Sequence, residues 1–154
     1  MPLTTHLGFT GTRDGCTTQQ HLMLAKVLGE MRRQGFTVLH HGDCIGADTE
    51  AHLAWNDRDN TIIHPPSNDA MRAFNDAAVI HKPRTYLRRN TDIIADSSVL
   101  IAAPKSMRDQ RGGTWWTIRK AGDAGKLVYI VRPDGGVEWI SPAQRATSRH
   151  QDTP

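Results

Sequence analysis

Apolar residues fall in short blocks along the chain, and segments with helical spacing separate them. Leu7-Gly8-Phe9-Thr10 reads as a first strand that stops at the turn-rich run Gly11-Thr12-Arg13-Asp14-Gly15. Thr17 or Thr18 can cap a helix whose Leu24, Val27, Leu28 and Met31 share a face, and Gly35 closes it. Residues 36–41 form a second strand, and the helix after it carries Ala47, Ala51, Ala54 and Trp55 on one side. Residues 61–64 form a short third strand ended by Pro65-Pro66. A short helix is expected over 70–78, then a longer one over 85–95 with Tyr86, Leu87, Ile93 and Ile94 as its buried stripe. Residues 99–103 are almost wholly apolar, as a strand covered on both faces requires. A polar loop over 104–111 leads to Gly112-Gly113-Thr114 and a helix over 114–124. Residues 127–131 are a fifth strand, and 137–140 add a small edge strand.

Strands alternating with helices predict an α/β fold: a three-layer, Rossmann-like parallel sheet of about five strands with helices on both faces. One domain is expected over residues 1–140, with 141–154 as a disordered tail because apolar residues are almost absent there. No apolar run approaches the roughly 18 residues of a membrane span. The start, MPLTTHLGFTGTR, lacks the features of a signal peptide, which predicts a cytoplasmic protein. The charge balance, 19 Lys and Arg against 16 Asp and Glu, suits an anionic small ligand but lacks the dense basic stripe of a nucleic-acid binder. Cys16 and Cys44 show no ligand spacing and read as free thiols. The eight histidines are scattered, and His40 and His41 point to opposite faces of one strand, so no metal is expected.

Parallel sheets bind ligands at the carboxyl ends of their strands, near the point where strand order reverses. Three glycine-bearing loops fall there. They contribute Gly11, Thr12 and Arg13; Gly42, Asp43, Gly46, Ala47 and Asp48; and Gly112, Gly113 and Thr114. Glycines before a helix let phosphate reach free N–H groups at its positive end. Arg13 can add a charge-assisted hydrogen bond, and the hydroxyls of Thr10, Thr12 and Thr114 can add neutral ones. Neither GxxxxGK[ST] nor GxGxxG occurs at these loops. Asn90 lies in an apolar stripe and needs a loop or a ligand as partner. Arg84, Arg88 and Arg89 form either a solvated face or a phosphate clamp. One of Trp115 and Trp116 should pack on the sheet, leaving the other to stack on a base or build a homodimer surface.

The ordered set Gly8-Phe9-Thr10-Gly11-Thr12-Arg13, His41-Gly42-Asp43-Cys44-Ile45-Gly46-Ala47-Asp48, Tyr86-Leu87-Arg88-Arg89-Asn90, Leu100-Ile101-Ala102-Ala103-Pro104 and Gly112-Gly113-Thr114-Trp115 resembles the SLOG superfamily. Within it, the chain resembles small members related to the YspA/YpsA group. The resemblance spans about residues 7–135 and implies a Rossmann-like fold shared with Lonely Guy phosphoribohydrolases and DNA-processing protein A. It implies that 42–48 and 112–114 hold phosphate or ribose, and it favours a homo-oligomer. Lonely Guy enzymes carry PGGxGTxxE with a catalytic glutamate; Thr117 stands at that position here and cannot act as a carboxylate acid or base. DNA-processing proteins place a basic residue before their GID, where this chain has Ile45.

The reading that follows is binding of a nucleotide or nucleotide-derived ligand without turnover, with no obligatory cofactor. N-glycosidic hydrolysis through Asp43 or Asp48 is the enzymatic alternative. Single-stranded nucleic acid binding through Arg84, Arg88, Arg89 and an exposed tryptophan is the third.

Overall fold

The alternating pattern folds as one seven-stranded sheet in a computed structural model that describes residues 5–142. The strands are β1 (His6–Gly11), β2 (Val38–His41), β3 (Thr61–Ile63), β4 (Val79–Ile80), β5 (Val99–Ala103), β6 (Leu127–Val131) and β7 (Val137–Ile140). The helices are α1 (Thr18–Arg33), α2 (Ala47–Trp55), α3 (Tyr86–Ala95) and α4 (Gly113–Asp123). Strand order is β4-β3-β2-β1-β5-β6-β7, parallel throughout except for β7, which runs antiparallel to β6.

Side-chain alternation builds a separate core on each face. Leu7, Phe9, Leu39 and Ile101 pack with Leu24, Leu28, Ala51 and Trp55 under α1 and α2. Leu100, Ala102, Val128 and Ile130 pack with Ile93, Ile94, Trp115 and Ile118 under α3 and α4. The fold is therefore the expected three-layer α/β class. No described helix is long and apolar enough to cross a membrane.

Local chemistry sets the element ends. Thr17 accepts the Gln20 N–H at 3.0 Å and Gln20 answers with its own side chain, a complete capping box for α1. The buried Gln20 amide also donates to Pro104 O and Val131 O at 2.9 Å each, so the start of α1 is tied to the ends of β5 and β6.

Two local expectations are corrected. The helix over 70–78 does not form: Asp69–Met71 is a single 3-10 turn, and the chain then runs extended into β4. Asn75 is captured by Asp43 through both its backbone and its side chain, and Phe74 sits at φ 57°, so the segment cannot wind on. On α3, Leu87 is 50% exposed, while Arg89 and Asn90 join Ile93 and Ile94 on the buried face. The expected tail, from 143 on, lies outside the described residues.

β1 is flanked by β2 on one side and β5 on the other. The chain leaves β1 in one direction and returns, through α3, in the other. A crevice therefore opens between the carboxyl ends of β1 and β5.

Candidate functional site

The loop after β1 is clamped from both sides. Thr12 N–H donates to Ala103 O at 3.0 Å, and Thr12 O accepts the Ala47 N–H at 2.9 Å. Gly11 has no space for a Cβ, which would stand 2.6 Å from that of Ala47. Arg13 is left at the surface. Its guanidinium lies 5.3 Å from the centre of the Tyr86 ring and 3.7 Å from the Met71 sulfur, rather than on a carboxylate. Across the crevice α4 begins at Gly112, held at φ 92° where a side chain would be strained, with no side-chain cap. Its N-terminal turn, Thr12, Arg13, Tyr86 and Lys105 enclose an outer cavity of about 230 Å³. Lys105 and Arg111 on its rim are each held by an acid, Asp14 at 2.7 Å and Asp109 at 2.8 Å.

Tyr86 separates this cavity from a tighter inner one of about 10 Å³. There Arg89 is 3% exposed and pairs with no carboxylate among the described residues. It donates to Gly42 O at 2.5 Å, His64 O at 3.2 Å and Cys44 Sγ at 3.1 Å, and it sits 5.0 Å from the Tyr86 ring centre. Its Nε has no hydrogen-bond partner among the described residues. A Cβ on Gly42 would collide with this guanidinium, and one on Gly113 would collide with the Tyr86 hydroxyl. Glycine at 42 and 113 is thus what lets a buried cation and a ring stand beside the backbone.

Asp48 is buried against the same inner cavity and accepts the Cys44 N–H at 3.0 Å. Burial pushes its carboxyl up to about 6, against the opposing pull of Arg89. The Cys44 thiol is pushed up by burial and by Asp48. Cys16, half-buried beside Glu50, is pushed up to about 12 by burial and by that carboxylate. Neither sulfur is a thiolate near neutrality.

Gly11, Thr12, Arg13, Gly112, Gly113 and Thr114 therefore line the outer cavity together. Gly42, Asp48, Arg89 and Asn90 line the inner one, with Gly11 and Arg13 shared between the two. Asp43 faces elsewhere: its Oδ1 takes the Asn75 N–H at 3.0 Å and its Oδ2 lies 3.4 Å from Arg72. A Cβ on Gly46 would collide with the Arg13 carbonyl, and the Ala47 N–H bonds Thr12 O, so both residues sit where one loop meets another. Thr117 is buried, with its hydroxyl bonded back to Gly113 O at 2.8 Å. Only two of the three arginines lie together: Arg84, paired with Asp92 at 2.6 Å, and Arg88 line one shallow groove with Trp116, while Arg89 is buried. Trp115 is the tryptophan that packs inward, donating to Ser106 O at 2.9 Å.

Tyr86 was expected as a core residue, yet it is the ring between the two arginines. Its place at the first position of α3, ahead of the buried turn, is the only sequence signal for that. The histidines are likewise not scattered in space. His6, His40 and His64 form a hydrogen-bonded row, with His81 stacked on His64, and His41 pairs with His52 on the opposite face.

No family model and no curated protein matches the chain. Among solved structures it is similar to that of the Moco carrier protein from Chlamydomonas reinhardtii, with a TM-score of 0.63 and 19% sequence identity, over 97% of this chain and 85% of that one. At that identity the likeness carries the fold: a Rossmann-like α/β domain.

Proposed function

We propose that this protein binds a nucleotide or nucleotide-derived small anion in the crevice between β1 and β5. The observation that carries the reading is the buried guanidinium of Arg89, in salt-bridge contact with no described carboxylate and sharing the inner cavity only with the Asp48 carboxyl that burial raises, behind a cavity walled by the uncapped start of α4 and by Arg13. A buried charge is costly unless something of opposite sign meets it. Helix N–H groups and Arg13 on the outer cavity, with Arg89 on the inner one behind Tyr86, make this edge suited to an anion. The solved structure of similar fold is that of a carrier protein, which supports binding without turnover.

The test is a thermal-shift panel of nucleoside monophosphates, dinucleotides, cyclic nucleotides and a short oligothymidylate. A ligand at 100 times its Kd stabilises by about 2.7 kcal/mol, or about 5–10 °C for a domain of this size. The expected result is such a shift with a small nucleotide, lost in Arg89→Met and Arg13→Ala. A panel without any shift overturns the reading.

One observation favours a second reading. Asp48, with its carboxyl raised to about 6, is suited to general acid–base work at the inner cavity. If the protein cleaves the base–ribose bond, incubation with a nucleoside monophosphate releases free base and Asp48→Asn abolishes the release. Asp43, spent on Asn75 and Arg72, takes no part.

A further inference from the structure

We infer that His40, His64 and Asp96 form a binding site for a first-row divalent transition metal of the zinc class. The site lies on the sheet face that carries α3 and adjoins the β1–β5 crevice at Arg89, which lines both cavities. The three residues come from β2, from the residue after β3 and from the end of α3, and one ligand atom of each lies within 4.8 Å of the others. His40 Nδ1 stands 2.9 Å from His64 Nε2, which stands 3.9 Å from Asp96 Oδ2. Donors on a tetrahedral metal at about 2.0–2.1 Å are roughly 3.3 Å apart. To become one face of a coordination sphere the first edge opens by about 0.4 Å, the second closes by about 0.6 Å, and the third, within 4.8 Å, closes by at most about 1.5 Å. Two imidazoles and one carboxylate are a donor set for zinc, cobalt or nickel rather than for calcium or magnesium.

Three further features fit. His40 is 2% exposed in the middle of a strand, where the pattern of the sheet calls for an apolar side chain. Asp96 is the C-cap of α3, where its carboxylate meets the negative end of the helix, and no basic residue stands in that last turn. A cation beside Asp96 offsets that repulsion. The third feature is the outer partner. A metal on His40 Nδ1 obliges the ring proton onto Nε2, and Nε2 lies 2.7 Å from His6 Nδ1, which accepts it. His6 thereby fixes the orientation of the His40 ring.

Entry is through a cleft of about 390 Å³ walled by His64, His81, Lys82, Arg84, Arg89 and Asp96. Arg84 is neutralised by Asp92, and Arg89 is bonded to backbone carbonyls. Lys82 and Arg89 remain as positive charges on this cleft, and they favour an anion or hydroxide as the metal's fourth ligand.

The test is a titration of the full chain, stripped with a chelator, with Co²⁺ followed by visible absorption and with Zn²⁺ followed by calorimetry. The expected result is one metal per chain, with the d–d bands of a four- or five-coordinate cobalt centre. Asp96 is half-exposed, so Asp96→Asn leaves the fold intact and should weaken binding at least tenfold. His6→Gln should weaken it about tenfold through the His40 ring. Should His64→Asn fail to fold, Asp96→Asn still decides. A wild-type chain that takes up no cobalt overturns the inference. So does Asp96→Asn binding as tightly as wild type, or binding that is lost in His21→Ala, the pair of Glu50 on the other face.

Discussion

Arg89 and Gly42 are one device. The guanidinium reaches its two carbonyls only because position 42 has no Cβ. Gly42→Ala and Arg89→Met should therefore behave alike, each removing nucleotide-induced stabilisation in the thermal-shift assay. A Gly42→Ala variant that keeps wild-type binding would uncouple the two. Arg89 also holds the Asp48 carboxyl down from where burial alone would put it. In Arg89→Met the Asp48 carboxyl should titrate above its wild-type value of about 6, read by carbon-detected NMR of the carboxyl group. An unchanged titration would mean that the two groups do not sense each other. Asp43 shows why residue type alone misleads: it neighbours the site in sequence, yet its side chain is used to hold 72–75.

At the scale of elements, the ends of the helices divide the work. α1 is closed by its own residues through the Thr17–Gln20 box, so Thr17→Ala should cost about 1 kcal/mol in urea unfolding. It should leave ligand binding unchanged. α4 has no such cap and begins at a glycine with φ 92°. Gly112→Ala strains the turn that aims the first N–H groups of α4 and should cost on the order of 1 kcal/mol. Unlike Thr17→Ala, it should also weaken nucleotide binding in the same assay. Equal effects of the two variants on binding would argue that the start of α4 is only a helix end. α3 serves both faces of its neighbourhood, with Arg89 on the crevice side and Asp96 at its end beside the histidine row.

The whole molecule carries buried titratable groups with opposite pH dependence. Burial lowers His40 and His64 to about 3, and it lowers His6, His41 and His52 as well. Neutral imidazoles stabilise the fold fully above their unfolded value of 6.5, and that contribution is lost as pH falls toward 3. Asp48 acts the other way: raised from 3.8 to about 6, it contributes stability at low pH that is lost as pH rises through 6. Several imidazoles oppose one carboxyl, so the urea midpoint of metal-free protein should fall steadily from pH 6.5 to 4. Asp48→Asn should be more stable than wild type at pH 7 and should lose stability more steeply on acidification. A midpoint independent of pH over this range would show that these histidines do not set acid stability.

Outside the stretch 69–80, the order of strands and helices, the cap of α1 and the three glycine loops were legible from the sequence. They depend on spacing, on φ > 0 positions and on turn chemistry, all of which act over a few residues. The capture of Asn75 by Asp43, which replaced a helix with a 3-10 turn and a strand, depends on residues far apart in the chain. So does the row from His6 through His40 to His64, whose members come from three neighbouring strands or their ends. Tyr86 lies between Arg13 and Arg89 for the same reason: α3 packs across the end of β1, and no local pattern encodes which rings and charges that packing brings together. Local periodicity and turn chemistry thus determined the layers and the glycine loops at the carboxyl ends of the strands. Only tertiary packing decided which side chains are buried there together, because burial and the interactions of charges depend on distance in space rather than along the chain.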